Sequence, residues 1–306
     1  MCQAIAVDRD WHVVIACRDP EKADKAVRAL IHETSNQHIE PILLNLASLN
    51  SIRQFPIEFS KRSLPPLRAV VANAGTQVVR GTTYTEDGFE TTFGVNHLGH
   101  FLLINLLLQS LVAPARIIVV SSGTHDPDTL DGKVAPPQYQ KPEVLAYPKL
   151  KNSRLFGVQR YTTSKLCNLL FAYELSYRLE AEGHSTADCR ITVNAFDPGG
   201  VPGTGLIREY HPALQFVLRS LLPRFRPVLR LLGTTVNDAE TSGRAMARLA
   251  IDPELESISG KYFQGIKKAQ SSKESYDSEK AAELWLSSVE LVKLQFYETI
   301  LQIAHQ

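Results

Sequence analysis

His12 to Cys17 reads HVVIAC, a short apolar run dominated by β-branched residues, the pattern of a strand buried on both faces of a parallel sheet. Similar runs recur as IEPILL at 39–44, LRAVVA at 67–72, RIIVV at 116–120 and RITVNAF at 190–196. Residues 20–34, 48–62, 86–112, 161–182 and 238–250 carry helical spacing of apolar positions instead. Strand and helix alternate. That alternation predicts a doubly wound parallel α/β sheet in a single domain spanning 1–306, with ligands at the carboxyl ends of the strands. GKYF at 260–263 predicts a last strand, and Glu279 to Ala304 a closing helix with Leu284, Leu291 and Leu294 inward and Trp285 nearby.

Composition narrows the function classes. The 306 residues are 44% hydrophobic and 21% charged with a formal charge of +1, so no strongly basic balance points to nucleic acid. Cys2, Cys17, Cys167 and Cys189 lie far apart without metal-ligand spacing, which predicts reduced thiols, a cytoplasmic setting and no metal site. No apolar run reaches 18 residues, and the first residues do not read as a signal peptide.

Chemistry gathers after the strands. Arg18 follows HVVIAC directly, where it can either cap the strand or pair with the 2′-phosphate of an adenosine ribose, the second reading favouring NADP over NAD. Asn73-Ala74-Gly75 ends the 67–72 run with small residues that allow a ligand close to the backbone. Asn96 interrupts the apolar segment GVNHLGHF at 94–101, and a buried amide needs partners. Ser121-Ser122-Gly123 follows RIIVV, placing a hydroxyl that can donate to a substrate oxygen or simply form a turn. Asp197-Pro198-Gly199-Gly200-Val201-Pro202-Gly203-Thr204 leaves the 190–196 strand as a turn able to line a flat ligand.

Tyr161-Thr162-Thr163-Ser164-Lys165 carries the sharpest signal. Tyrosine and lysine four apart share one helix face, and an ammonium favours ionisation of a phenol whose ordinary pKa is about 10. Such a pair moves protons. Two other pairs share the spacing, Tyr147/Lys151 and Tyr276/Lys280, but Pro148 follows the first and a polar run surrounds the second. Tyr161 alone opens a long amphipathic segment, with Leu166, Leu169, Leu170, Tyr173 and Tyr177 on the inward face.

Two segments read as substrate loops or lids. Gly123 to Arg160 holds five prolines, and 206–236 carries Arg219, Arg224, Arg226 and Arg230 among leucines and phenylalanines. The stretch 210–236 is also a candidate for weak contact with a membrane surface.

In order, NAG at 73–75, Asn96, Ser122, YTTSK at 161–165 and the PG turn at 198–199 resemble the short-chain dehydrogenase/reductase family, whose fold is Rossmann-type. ACRDPEKA at 16–23, GVNHLGHFLL at 94–103 and YTTSKLCN at 161–168 look like its branch of retinol dehydrogenases and protochlorophyllide reductases. The resemblance implies catalytic roles for Asn96, Ser122, Tyr161 and Lys165: acid/base for Tyr161, ribose binding and phenol activation for Lys165, carbonyl orientation for Ser122 and water-holding in a proton relay for Asn96. It implies NADP (NADPH) held by Arg18, Asn45, Leu46, Asn73, Ala74, Gly75, Tyr161, Lys165, Pro198, Gly199, Val201 and Thr204. The implied reaction interconverts a carbonyl and an alcohol, and the long loops suggest a bulky apolar small molecule as substrate. The resemblance also implies dimers or tetramers, a homodimer being the partner state expected here. The alternatives are a non-catalytic binding protein on the same scaffold and, through Cys167, a C=C reductase.

One departure matters. The family begins with a strand and a TGxxxGxG loop, whereas Met1 to Asp10, MCQAIAVDRD, has no glycine and room for only a remnant of the first helix. The reading therefore expects an unfilled position between the 12–17 and 67–72 strands, and either a native chain with about 15–30 further residues ahead of Met1, the favoured explanation, or a degenerate family member with weak cofactor binding.

Overall fold

In a computed structural model, each apolar run of the sequence becomes a strand. Residues 1–149, 154–186, 190–201 and 237–303 are described. The chain passes through α1 (Cys2–Ala6), β1 (Val13–Cys17), α2 (Pro20–Thr34), β2 (Ile39–Leu43), α3 (Leu49–Ser60) and β3 (Leu67–Ala72). It continues through α4 (Gly99–Leu107), β4 (Leu111–Val120), α5 (Arg154–Ala181), β5 (Ile191–Asp197), α6 (Ala239–Ile251), β6 (Lys261–Gln264), β7 (Lys267–Ala269) and α7 (Ser278–Val292). Local chemistry sets the boundaries. Asp19 accepts from Lys22 N at 3.1 Å and Pro20 opens α2, while Ser35 ends it in the left-handed region at φ 57°.

Helices cover both faces of the sheet. On one, Phe101 of α4, Phe171 of α5 and Trp285 of α7 form an aromatic centre, with Phe101 meeting Trp285 edge-on at 5.0 Å. On the other, Ile118, Val120, Phe196 and Phe263 of the sheet pack against Ile5 of α1 and Met246 and Leu249 of α6. Among the described residues no helix is long and apolar enough to cross a membrane.

The sheet is in two parts. β1 pairs parallel with β2, while β3, β4, β5 and β6 run parallel in that order and β7 closes the edge antiparallel. Between β1 and β3 lies a cavity of about 830 Å³, lined by Val13–Arg18 on one side and Leu67–Val71 with Asn73–Thr76 on the other. This is the position the sequence reading expected to be unfilled. Val13 N–H bonds His38 O and Leu44 N–H bonds Cys17 O, so the two-residue alternation turns the N–H groups of Val14 and Ala16 away from β2, toward the cavity. Hydrogen exchange should therefore be about 100-fold faster at Val14 and Ala16 than at Val13 and Ile15. Equal protection of the four amides would show that another segment pairs with β1.

Three sequence expectations change. The helix predicted to Ala304 stops at Val292, because Lys293 takes the left-handed conformation at φ 53°; Leu294 is buried beyond the helix and Leu291 only half-buried. Tyr177 does not continue the inward face of α5 and is 66% exposed, because the buried face of the helix at that end runs through Leu175 and Leu179, both 0% exposed, and Tyr177 lies off it. The helix expected over 86–112 is shorter: it starts at Thr91, passes through a π-turn at Gly94–Leu98, becomes α4, and gives way to β4 at Leu111.

Candidate active site

The π-turn is the first device of the site. A wider turn displaces side chains from the regular helical ladder, and here Asn96 sits inside it, fully buried. Its Oδ1 accepts from Thr76 N at 2.8 Å, and its Nδ2 donates to Thr76 O at 2.9 Å and Ser164 Oγ at 3.0 Å. Asn96 thus clamps the end of the Asn73–Thr76 loop to the helix that carries Tyr161. Its side chain makes three hydrogen bonds in that clamp. Its main-chain oxygen accepts from His100 Nδ1 at 3.0 Å. His100, pushed down to about 4 by burial, is neutral and can make that donation. Gly99 permits the close packing on which this rests: a Cβ there would meet Leu46 O at 2.7 Å.

Helix α5 supplies Tyr161 and Lys165 from one face, both buried, with the Lys165 ammonium 5.6 Å from the Tyr161 ring centre. Several bonds fix their height and rotation. Lys165 Nζ donates to Val120 O at 3.0 Å, Asn168 Nδ2 donates to the same oxygen at 3.0 Å, and Ser121 Oγ donates to Lys165 O at 2.8 Å. α5 begins at Arg154, ahead of the Tyr161 start expected from sequence, and the turns around Tyr161 also hold the loop after β4: Thr162 Oγ1 donates to Ala135 O at 2.8 Å, Gln138 N to Thr163 Oγ1 at 2.9 Å and Gln159 Nε2 to Pro136 O at 2.9 Å. Arg160 pairs with buried Glu90, whose other oxygen caps the turn leading to Asn96. Side chains local in sequence to Tyr161 therefore tie it to the π-turn, the β4 end and the substrate-side loop.

Burial pushes the Lys165 ammonium down to about 8, and Asp197 pulls it back up. Among the described residues no carboxylate reaches within ion-pair distance of Lys165, so the cation has a single hydrogen bond to a neutral acceptor and spare donors. Gly75 lies beside it; a Cβ there would stand 3.7 Å from Lys165 Nζ and 3.6 Å from Asn96 Oδ1. A hydroxyl-bearing ligand passing Gly75 would meet both. Ser122 follows Ser121 at the end of β4, and its Oγ faces Thr124 N at 3.4 Å.

The expected cofactor residues fall in two groups. Arg18, Asn45, Leu46, Asn73, Ala74 and Gly75 line the cavity between β1 and β3. Arg18 is exposed there, while Asn45 Nδ2 donates to Glu86 Oε1 at 2.9 Å and its Oδ1 accepts from Ala47 N at 3.1 Å. Pro198, Gly199 and Val201 stand apart from that lining, at the end of β5, where Gly199 has φ 72° and donates its N–H to Asp197 Oδ1 at 2.8 Å. Thr204 lies outside the described residues, as do the 206–236 lid and the arginines of 210–236. Sequence reasoning passed over Asp197, which is 2% exposed and accepts from Tyr262 OH at 3.2 Å; its place at the head of the PG turn was the available signal.

A buried tyrosine–lysine pair on one helix face, a buried amide and strand-end hydroxyls thus stand on an α/β scaffold that also holds a cavity of about 830 Å³. The family described as short chain dehydrogenase matches residues 1–128, and one described as AcuH dehydrogenase domain matches 208–301. Retinol dehydrogenase 13 of Homo sapiens is 38% identical over 289 residues, covering 94% of this chain and 78% of that protein. The chloroplastic protochlorophyllide reductase of Daucus carota is 35% identical over 313 residues, covering 95% and 74%. A short chain oxidoreductase from Pseudomonas aeruginosa, solved with NADPH bound, shares the fold at TM-score 0.59 and 17% identity, over 86% of this chain and 88% of that one. The chain belongs to the short-chain dehydrogenase/reductase family, in the branch that holds the retinol dehydrogenases and protochlorophyllide reductases.

Proposed function

We propose that the protein is an NADP-dependent oxidoreductase interconverting a carbonyl and an alcohol on a bulky apolar small molecule. The carrying observation is Lys165: a buried ammonium with spare donors, on one helix face with Tyr161 and beside Gly75. A bound NADPH supplies the hydride. In the reductive direction Tyr161 gives its hydroxyl proton to the substrate oxygen, Lys165 stabilises the phenolate left behind and holds the ribose hydroxyls, and Ser122 donates to the same oxygen. Arg18, exposed in the cavity, is the partner for a 2′-phosphate.

The fit is uneven along the cofactor. Tyr161, Lys165 and Ser122 would hold the nicotinamide end and Arg18 the adenosine end. Met1–Asp10, four of whose residues line the cavity, carries the five-residue α1 and no glycine, so these residues would supply no glycine turn to a pyrophosphate. Apolar substrate is favoured by the loop strapped to α5, where Leu130, Val134, Val144 and Tyr147 are exposed. The C=C alternative loses its donor: Cys167 is fully buried and burial pushes its thiol well above the usual range, which suits packing. A cytoplasmic setting is favoured by free thiols at Cys2, Cys17 and Cys167.

The test is NADPH oxidation against a panel of retinoid aldehydes, polycyclic ketones and small polar carbonyls. Turnover confined to the bulky apolar members is expected; turnover of only small polar carbonyls would overturn the substrate reading.

A further inference from the structure

His125 is 2% exposed, lies outside every motif that identifies the family, and uses both ring nitrogens. Its Nε2 accepts from Ser272 N at 3.0 Å, so the ring proton is on Nδ1, and Nδ1 donates to Ser122 O at 2.6 Å. The backbone N–H of His125 bonds the same Ser122 oxygen at 3.1 Å. Two donors from one residue therefore fix the peptide plane that follows Ser122.

The far side of the ring is anchored as firmly. Ser272 belongs to a hydrogen-bonded knot: Ser271 Oγ lies 2.6 Å from Ser275 Oγ and 2.7 Å from Tyr173 OH, and Ser275 Oγ donates to Ser272 O at 2.6 Å. Tyr173 is on α5, the helix of Tyr161 and Lys165. The ring also meets Tyr262 edge-on at 5.2 Å, and Tyr262 OH donates to Asp197, whose other oxygen holds the Gly199 turn. A closed path thus runs from Ser122 through His125 and the 271–276 knot back to α5.

We propose that His125 is a positioning residue: its Nδ1–H braces Ser122 against the helix bearing Tyr161 and Lys165, setting the aim of the Ser122 hydroxyl at the substrate oxygen. The brace rests on the oxidoreductase reading. Burial lowers the affinity of the ring for a second proton, although Asp197 and Asp126 oppose this, so the neutral form is kept. A neutral ring is what the geometry needs, because a second proton on Nε2 would face Ser272 N–H.

Three substitutions separate the two contacts. His125→Asn keeps a donor near the Nδ1 position, His125→Gln keeps an acceptor near Nε2, and His125→Leu keeps neither. With NADPH and an accepted carbonyl, kcat should fall about 30-fold in the Leu and Gln variants and within about threefold in Asn, with NADPH affinity changed less than twofold throughout. A merely structural histidine would lower the melting temperature in all three and leave kcat per folded molecule alone. Unchanged kcat in His125→Leu, or equal loss in all three, would overturn the brace. Imidazole ¹⁵N shifts give a readout without turnover: a neutral Nδ1–H tautomer at pH 7 is expected, and an Nε2–H tautomer or imidazolium would overturn it. Absence of any turnover in the wild type, with the Nδ1–H tautomer present, would count against the oxidoreductase reading while leaving the contact to Ser122 standing.

Discussion

Tyr161→Phe is expected to lower kcat about 1,000-fold while leaving NADPH affinity and melting temperature near their wild-type values. The change removes one oxygen. The ring keeps its place on α5, Asn96 stays held by Thr76 and Ser164, and Lys165 by Val120. What disappears is the proton for the substrate oxygen, and positioned general acids contribute about 10²–10⁴ in rate. Steady-state kinetics with an accepted ketone measure the loss. Retention of rate to within tenfold would remove Tyr161 from the acid/base role.

Lys165→Met is expected to be comparably severe for turnover and, unusually for a buried polar residue, to leave the fold as stable or more stable. The ammonium is buried without a carboxylate at ion-pair distance among the described residues, and burial holds it down to about 8. Folding therefore works against its charge. Below pH about 8 both folded and unfolded chains carry the proton and the penalty is complete. Between about 8 and the ordinary value of 10.5 the folded chain releases the proton while the unfolded chain keeps it, so wild-type stability should rise with pH across that window. The Met variant lacks this rise. Its loss also strands no acceptor, because Asn168 Nδ2 still donates to Val120 O. Urea midpoints at pH 7 and pH 9.5 should show the wild type gaining relative to Lys165→Met; a variant destabilised by more than about 2 kcal/mol at pH 7 would mean the ammonium is satisfied in the free protein.

The parts of this molecule legible in its sequence are those that act locally. Five apolar runs became β1 to β5 because strands buried on both faces need uninterrupted apolar residues, and Tyr161 and Lys165 share a face because helical geometry puts them there. β7 was illegible: Lys267-Lys268-Ala269 is a three-residue edge strand, and lysine at an edge carries no apolar signal. The early start of β4 was hidden by Leu111-Val112-Ala113-Pro114, where alternate half-buried and exposed residues replace the apolar run. The π-turn has no periodicity of its own, and Asn96 within it showed only as a polar interruption. His125 and Tyr262 act through partners far along the chain, Ser272 and Asp197, and no local pattern announces a contact made by tertiary packing.

The central claim is that one site joins the cavity carrying Arg18 to the Tyr161–Lys165 pair, and cofactor binding tests it most directly. Calorimetric titration of the 306-residue chain with NADPH and NADH should show NADPH binding about tenfold more tightly, with the difference erased by Arg18→Ala and neither melting temperature changed. No heat with either cofactor at millimolar concentration would contradict the account, as would a preference for NADPH that survives the loss of Arg18.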